Sequence, residues 1–258
     1  MVDIVVGVDA STSSALALRW ALEEARLHNS GVRAVLALPG GRLPSAVERA
    51  AEPSDLGDPT AAAVRVLHRL VMEATLARAH EALRPTGETS LVSSTPVGET
   101  TLVSETVVRA LPADALLRAS ATAHMLVVGA PGHSRPRRAC AGSLAEVCAR
   151  QARVPVVVAH DVALAQHTAL ADESGPVGPS PTVTGAEQGG VWPHTQVKVL
   201  PLAVDGVATA NTLSLAQNAQ MLVVGAWDQD GRHRWTPGDL TRECVIHAPC
   251  PVAVVRPE

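Results

Sequence analysis

Aromatic residues are almost missing from this 258-residue chain: Phe and Tyr are absent and four Trp remain. Base-stacking platforms of the kind that hold single-stranded nucleic acid therefore have nothing to be built from. Excess positive charge is missing as well. The formal net charge is −4, with a pI near 6.2. A phosphate-backbone binder needs a basic face, so nucleic acid is excluded as a partner. No apolar run approaches the about 20 residues that span a bilayer. The start, Met1-Val2-Asp3-Ile4, lacks a basic region before an apolar stretch, which argues against a secretory signal. The four cysteines, Cys140, Cys148, Cys244 and Cys250, lack CxxC spacing. They read as reduced, mostly buried thiols of a cytoplasmic protein rather than zinc ligands. Ten His are scattered without HExxH spacing and none is assigned to a metal.

What is present is a large apolar share, 47% of the chain, so the core must be packed from Ala, Val and Leu. Residues 4–8 form a continuous apolar run ending at Asp9, as a strand buried on both faces does. Asp9, Ser11, Thr12 and Ser13 offer N-cap chemistry for a helix running to about Asn29 and stopping at Gly31. Further strands are expected at 32–38, 102–108, 125–128 and 156–159, and helices at 64–84, 112–121 and 142–151. Residues 42–60, rich in Pro, Gly, Asp and Ser, read as a loop. Alternating strands and helices imply an open, mostly parallel α/β sheet covered on both faces, Rossmann-like in class. From Ser174 to Gly190 Pro, Gly, Ser and Thr crowd without periodicity, and 161–195 reads as a linker.

The chain also repeats itself. Residues 125–160 align with 221–256 without a gap at an offset of 96, and Met-Leu-Val-Val-Gly-Ala occurs in both. Leu144/Leu240, Cys148/Cys244 and Val156/Val252 match too, which marks a duplication. The second copy, 196–258, is truncated. Its stretch from Val199 to Asp205 aligns with either the first or the third strand of the first copy.

The chemistry centres on Gly129-Ala-Pro-Gly132, nine residues, then Gly142-Ser143. The first glycine ends a strand, and the last pair opens a helix whose unpaired N–H groups suit an anion. Glycine lets the backbone approach phosphate oxygens. The Ser143 hydroxyl adds a donor, while Arg135, Arg137 and Arg138 supply charge from the loop between. Ser143-Leu-Ala-Glu146 is equally a capping box, and Asp9 equally a cap of the first helix.

This glycine spacing resembles the nucleotide signature of the ATP-binding universal stress proteins. Val-Asp-Ala-Ser at 8–11 and Val154-Pro155-Val156-Val157-Val158 are similar to that family's opening and closing strands. The resemblance implies a five-stranded parallel sheet, with 1–160 as a complete nucleotide-binding domain. It implies ATP, with or without a magnesium ion riding on the phosphates. Asp9 would meet adenine or ribose, Ala37 would line the base pocket, and Gly129, Gly132, Gly142 and Ser143 would hold phosphates. In the second copy Asp228 replaces Gly132 and Asp239 replaces Ser143. Two carboxylates repel phosphate, so no nucleotide is expected there.

Three functions compete on this basis. The first is a cytoplasmic, nucleotide-dependent stress regulator whose ordered loop faces a protein partner the sequence does not name. The second is an interaction module of the same fold that binds no nucleotide. The third is an adenylate-transferring enzyme, which would need a paired-histidine motif early in the chain, yet no His precedes His28. The motif holds no evident general base, so catalysis is expected to be at most slow hydrolysis or self-phosphorylation. The equivalent edge strands 156–159 and 252–255 are expected to pair within one chain as a pseudo-dimer. Pairing of two chains into a homodimer is left open.

Overall fold

A computed structural model describes residues 3–55, 57–82, 102–130, 143–160, 212–214, 216–226 and 240–255. The expected linker, the stretch 199–205, Gly132, Arg135, Gly142, Asp228 and Asp239 lie outside the described residues.

Among the described residues seven strands form one sheet. They are β1 (Ile4–Gly7), β2 (Val32–Ala37), β3 (Val103–Val108), β4 (Met125–Gly129), β5 (Val156–Ala159), β6 (Leu222–Gly225) and β7 (Val252–Val255). Their order is β3-β2-β1-β4-β5-β7-β6. The first five are parallel neighbours, as the alternation of strands and helices requires. The sheet does not stop at five, because β7 joins β5 antiparallel and β6 joins β7 parallel. Val157 faces Ala253 across that joint, with Val156 opposite Val254 and Val158 opposite Val252.

Helices with bounds within the described residues are α1 (Thr12–His28), α2 (Ser45–Ala50), α3 (Pro59–Ala82), α4 (Pro112–Ser120), α5 (Leu144–Gln151) and α6 (Leu240–His247). Ser11 caps α1: its Oγ accepts the Ser14 N–H at 3.2 Å. Buried Ala17, Leu18, Ala21, Leu22 and Ala25 recur at helical spacing and face the sheet. The helix ends on Asn29 in the left-handed conformation, φ 49°, two residues before the Gly31 expected to stop it. The stretch 42–60 is more than a loop, since it contains α2. Its composition hid a helix of six residues with one buried side chain, Val47.

Two apolar layers sandwich the sheet. Ile4, Val6, Leu36, Val127 and Val157 meet α1 and α3 on one face. Val5, Leu126, Val156, Val158 and Val252 meet α4, α5 and α6 on the other. Each fully buried Val or Leu contributes roughly 1.5–3 kcal/mol. Apart from Ile4, the largest wholly buried side chains are leucines and valines, as a chain without Phe or Tyr demands.

Cys148, Cys244 and Cys250 are buried thiols outside any disulfide. Burial alone pushes the Cys148 thiol up to about 12. Burial also raises Cys250, against a weaker lowering by a backbone hydrogen bond at Leu222. The thiolate is the nucleophile, so these sulfurs are inert while folded. Iodoacetamide at pH 8 is expected to leave all three unlabelled in the folded chain and to label them after urea, as read by peptide mass spectrometry. Labelling of Cys148 at the rate of a free thiol would contradict the packing. The unfolded chain releases the Cys148 proton near 9.0 and the folded chain near 12. This thiol's contribution to stability is therefore full below pH 9 and falls as pH rises toward 12.

Candidate functional site

Strand order reverses between β1 and β4. From β1 the chain passes through α1 to β2 on one side; from β4 it passes to α5 and then β5 on the other. α1 covers one face and α5 the opposite face, and both helices start at the C-terminal ends of the strands, the topology in which open α/β sheets form a crevice. Open α/β sheets bind ligands at such a switch point.

Asp9 lies two residues past β1 and is exposed. Its Oδ1 accepts the Ser11 N–H at 3.0 Å, and its own N–H donates to Ser14 Oγ at 3.3 Å. Between them Ala10 stands at φ 62°, in the left-handed region that non-glycine residues avoid. That conformation costs on the order of 1–3 kcal/mol and concentrates where chains meet ligands. It turns the chain sharply into α1 and presents the first turn outward. An open cleft of about 400 Å³ adjoins this turn, lined by Ala10, Ser11, Thr12, Ala46, Arg49 and Ala50.

Arg49 is the residue sequence reasoning missed. It is exposed on α2, and its Nε donates to the Ser45 carbonyl at 3.1 Å. The available signal was Pro44 followed by Glu48 in the first turn and Arg49 in the last, the charge order a helix dipole favours.

Gly129 ends β4 beside α1. A Cβ there would sit 2.5 Å from the Ser13 carbonyl carbon and 2.6 Å from its oxygen. The glycine is thus required by the approach of the α1 backbone, whatever else it touches. Ser143 caps α5, its Oγ accepting the Glu146 N–H at 3.3 Å. Buried Glu146 also receives Arg242 Nε at 3.3 Å. Ala37, at the end of β2, is buried in the layer beneath α4 and is not among the cleft-lining residues. The structure therefore gathers Asp9 and Gly129 at the start of α1, and places Ser143 at the start of α5.

Among the described residues, no three His, Cys, Asp or Glu side chains are grouped to hold a metal ion. No described helix is long and apolar enough to cross a membrane.

The class defined by this sheet is an open α/β protein whose strand order reverses between β1 and β4. Residues 1–160 match the model of the universal stress protein family, and the chain belongs to that family. Several solved universal stress proteins are similar in part. One from Archaeoglobus fulgidus, in complex with dAMP, is 24% identical; the match covers 61% of this chain and 97% of that one, with a TM-score of 0.38. One from Arabidopsis thaliana with AMP bound is 18% identical over 62% of this chain and 92% of that one, TM-score 0.37. Another, in complex with cAMP, is 22% identical over 61% and 95%, TM-score 0.41. At these scores the family assignment rests on the family model. Comparison with curated proteins gives no match.

Proposed function

We propose that the chain is a cytoplasmic, nucleotide-dependent regulator of the stress response that binds ATP in the unit 1–160. Asp9 and Ala37 would serve the adenosine end, and Gly129, Gly132, Arg135, Gly142 and Ser143 the phosphates. The unit 196–258 would be a truncated copy without nucleotide, joined through the linker 161–195 and paired through β5 and β7 as a pseudo-dimer.

One observation carries this reading. The starts of α1 and α5 both open at the ends of β1 and β4, where strand order reverses and backbone donors suit an anion. The Asp9 carboxylate borders the crevice, and only its Oδ1 is engaged among the described residues. It is an acceptor suited to a ribose hydroxyl or an adenine amine. A carboxylate next to a helix start is poorly placed for phosphate, which puts the phosphates on the α5 side. Among the described residues no cluster of carboxylates is placed to hold a magnesium ion. It would have to ride on ATP oxygens and water, which is its habit with nucleotides.

The test is equilibrium dialysis of the full chain against labelled ATP, with AMP and cAMP as competitors. The expected outcome is one site per chain that fills below millimolar ATP. An absence of binding at millimolar ATP removes the reading.

A second reading has its own support. Gly129 is accounted for by α1, and the Ser143 hydroxyl is occupied in capping α5. Both residues would stand unchanged in a protein-interaction module that holds no nucleotide.

A further inference from the structure

The joint between β5 and β7 has internal two-fold symmetry, and its axis can be located. Subtracting the repeat offset from Ala253 gives 157, the very residue it faces. Val254 faces Val156 and corresponds to 158, while Val252 faces Val158 and corresponds to 156. Each copy thus presents the same strand to the other, as in an isologous dimer. Glu146 and Arg242 are also separated by 96 residues, so they occupy one repeat position, and they touch at 3.3 Å on the packed helices α5 and α6. Both are buried, at 7% and 8% side-chain exposure. Every other ion pair described involves a side chain at least one-fifth exposed.

A position on a two-fold axis meets itself when two identical copies associate. Two copies of α5 would bring Glu146 against Glu146, and two copies of α6 would bring Arg242 against Arg242. Only the mixed arrangement turns the buried contact attractive. No other repeat-paired position of α5–β5 and α6–β7 carries opposite charges. Val156 and Val252 are the same residue type, as are Val158 and Val254, and Cys148 and Cys244, while the axis residues Val157 and Ala253 and the helix residues Ala149 and Val245 differ only in apolar size. Apolarity alone would admit β5 of a second chain in place of β7 of the same one. Arg242 is further held by Glu243 at 3.5 Å, where the first copy carries Val147.

We propose that Glu146 and Arg242 are the selectivity determinants of this interface. The α5–β5 edge accepts the 221–256 copy and rejects the α5–β5 edge of another chain. The pair opposes the wrong partner more than it strengthens the right one, a use for which buried charges suit better than for stability alone. The inference depends on the repeat and not on nucleotide binding.

The experiment uses the full chain in four forms: Glu146→Arg, Arg242→Glu, the two combined, and Glu146→Met with Arg242→Met. Amide exchange of peptides spanning 156–159 and 252–255 reads the joint, and light scattering over a concentration series reads mass. Each single reversal is expected to speed exchange of the 252–255 peptide at least tenfold, and the exchanged pair to restore it to within about threefold. The double Met variant is expected to keep its protection but to gain a concentration-dependent dimer beyond that of the natural chain. Two results would overturn the proposal: an exchanged pair as unprotected as the single reversals, or a double Met variant with the same mass as the natural chain at every concentration.

Discussion

Gly129→Ala lowers the stability of the folded chain by about 3 kcal/mol or more, the upper range for forcing atoms into a packed site. The added methyl would lie 2.5–2.7 Å from the carbonyl carbon, the carbonyl oxygen and the Cβ of Ser13. Backbone at the start of α1 has no rotamer to change. It must move bodily, and the Ser11–Ser14 cap moves with it. Gly7→Ala is the control. Its methyl would meet Leu116 Cδ1 at 2.8 Å, the far end of a side chain that can turn aside. That loss is expected near 1 kcal/mol. Urea midpoints of the two variants at equal protein concentration check the difference. For a chain of this size 3 kcal/mol is a drop of roughly 6–12 °C in melting temperature. Equal midpoints for Gly129→Ala and the natural chain would mean that α1 does not approach β4 as described.

Gly132→Asp weakens ATP by about a thousandfold if the phosphates lie where the glycine spacing puts them. A carboxylate about 4 Å from one phosphate charge costs roughly 4 kcal/mol at an effective dielectric of 20. Each 1.4 kcal/mol is a factor of ten in affinity. A helix start returns only about 0.3–2 kcal/mol to a negative charge, so repulsion wins. Dialysis of the variant against labelled ATP reads the effect, with a urea midpoint to show that the chain is still folded. Unchanged affinity would place the phosphates elsewhere. Lost affinity with retained biological action would favour the interaction-module reading.

Much of the architecture was legible because strands buried on both faces leave unbroken apolar runs. Val156–Ala159 and Met125–Gly129 carry that signal plainly. The exact repeat Met-Leu-Val-Val-Gly-Ala located β6, and the equivalence of 156–159 with 252–255 announced the pairing of β5 with β7, though not its direction. α2 was not legible. Six residues between prolines bury one valine, and a periodicity cannot be read from a single point. The site was legible in part. Spacing marks Gly129 as special, but the reason shown here is a contact with Ser13, 116 positions earlier in the chain, which no local pattern announces. Ala37 ends β2 as expected, and its burial in the layer with α4 is a tertiary fact that its position in the sequence does not announce. The α1 cleft with Arg49 depends on α2 folding back beside Ala10, a tertiary fact.

The reversal of direction between β5 and β7 sends the two copies' strand ends to opposite rims of one sheet. Asp9 and Gly129 look over one rim, and Gly225, the counterpart of Gly129 at the repeat offset, looks over the other. A ligand at the first rim would lie a strand's length from the second, so the two ends of the sheet can carry separate tasks.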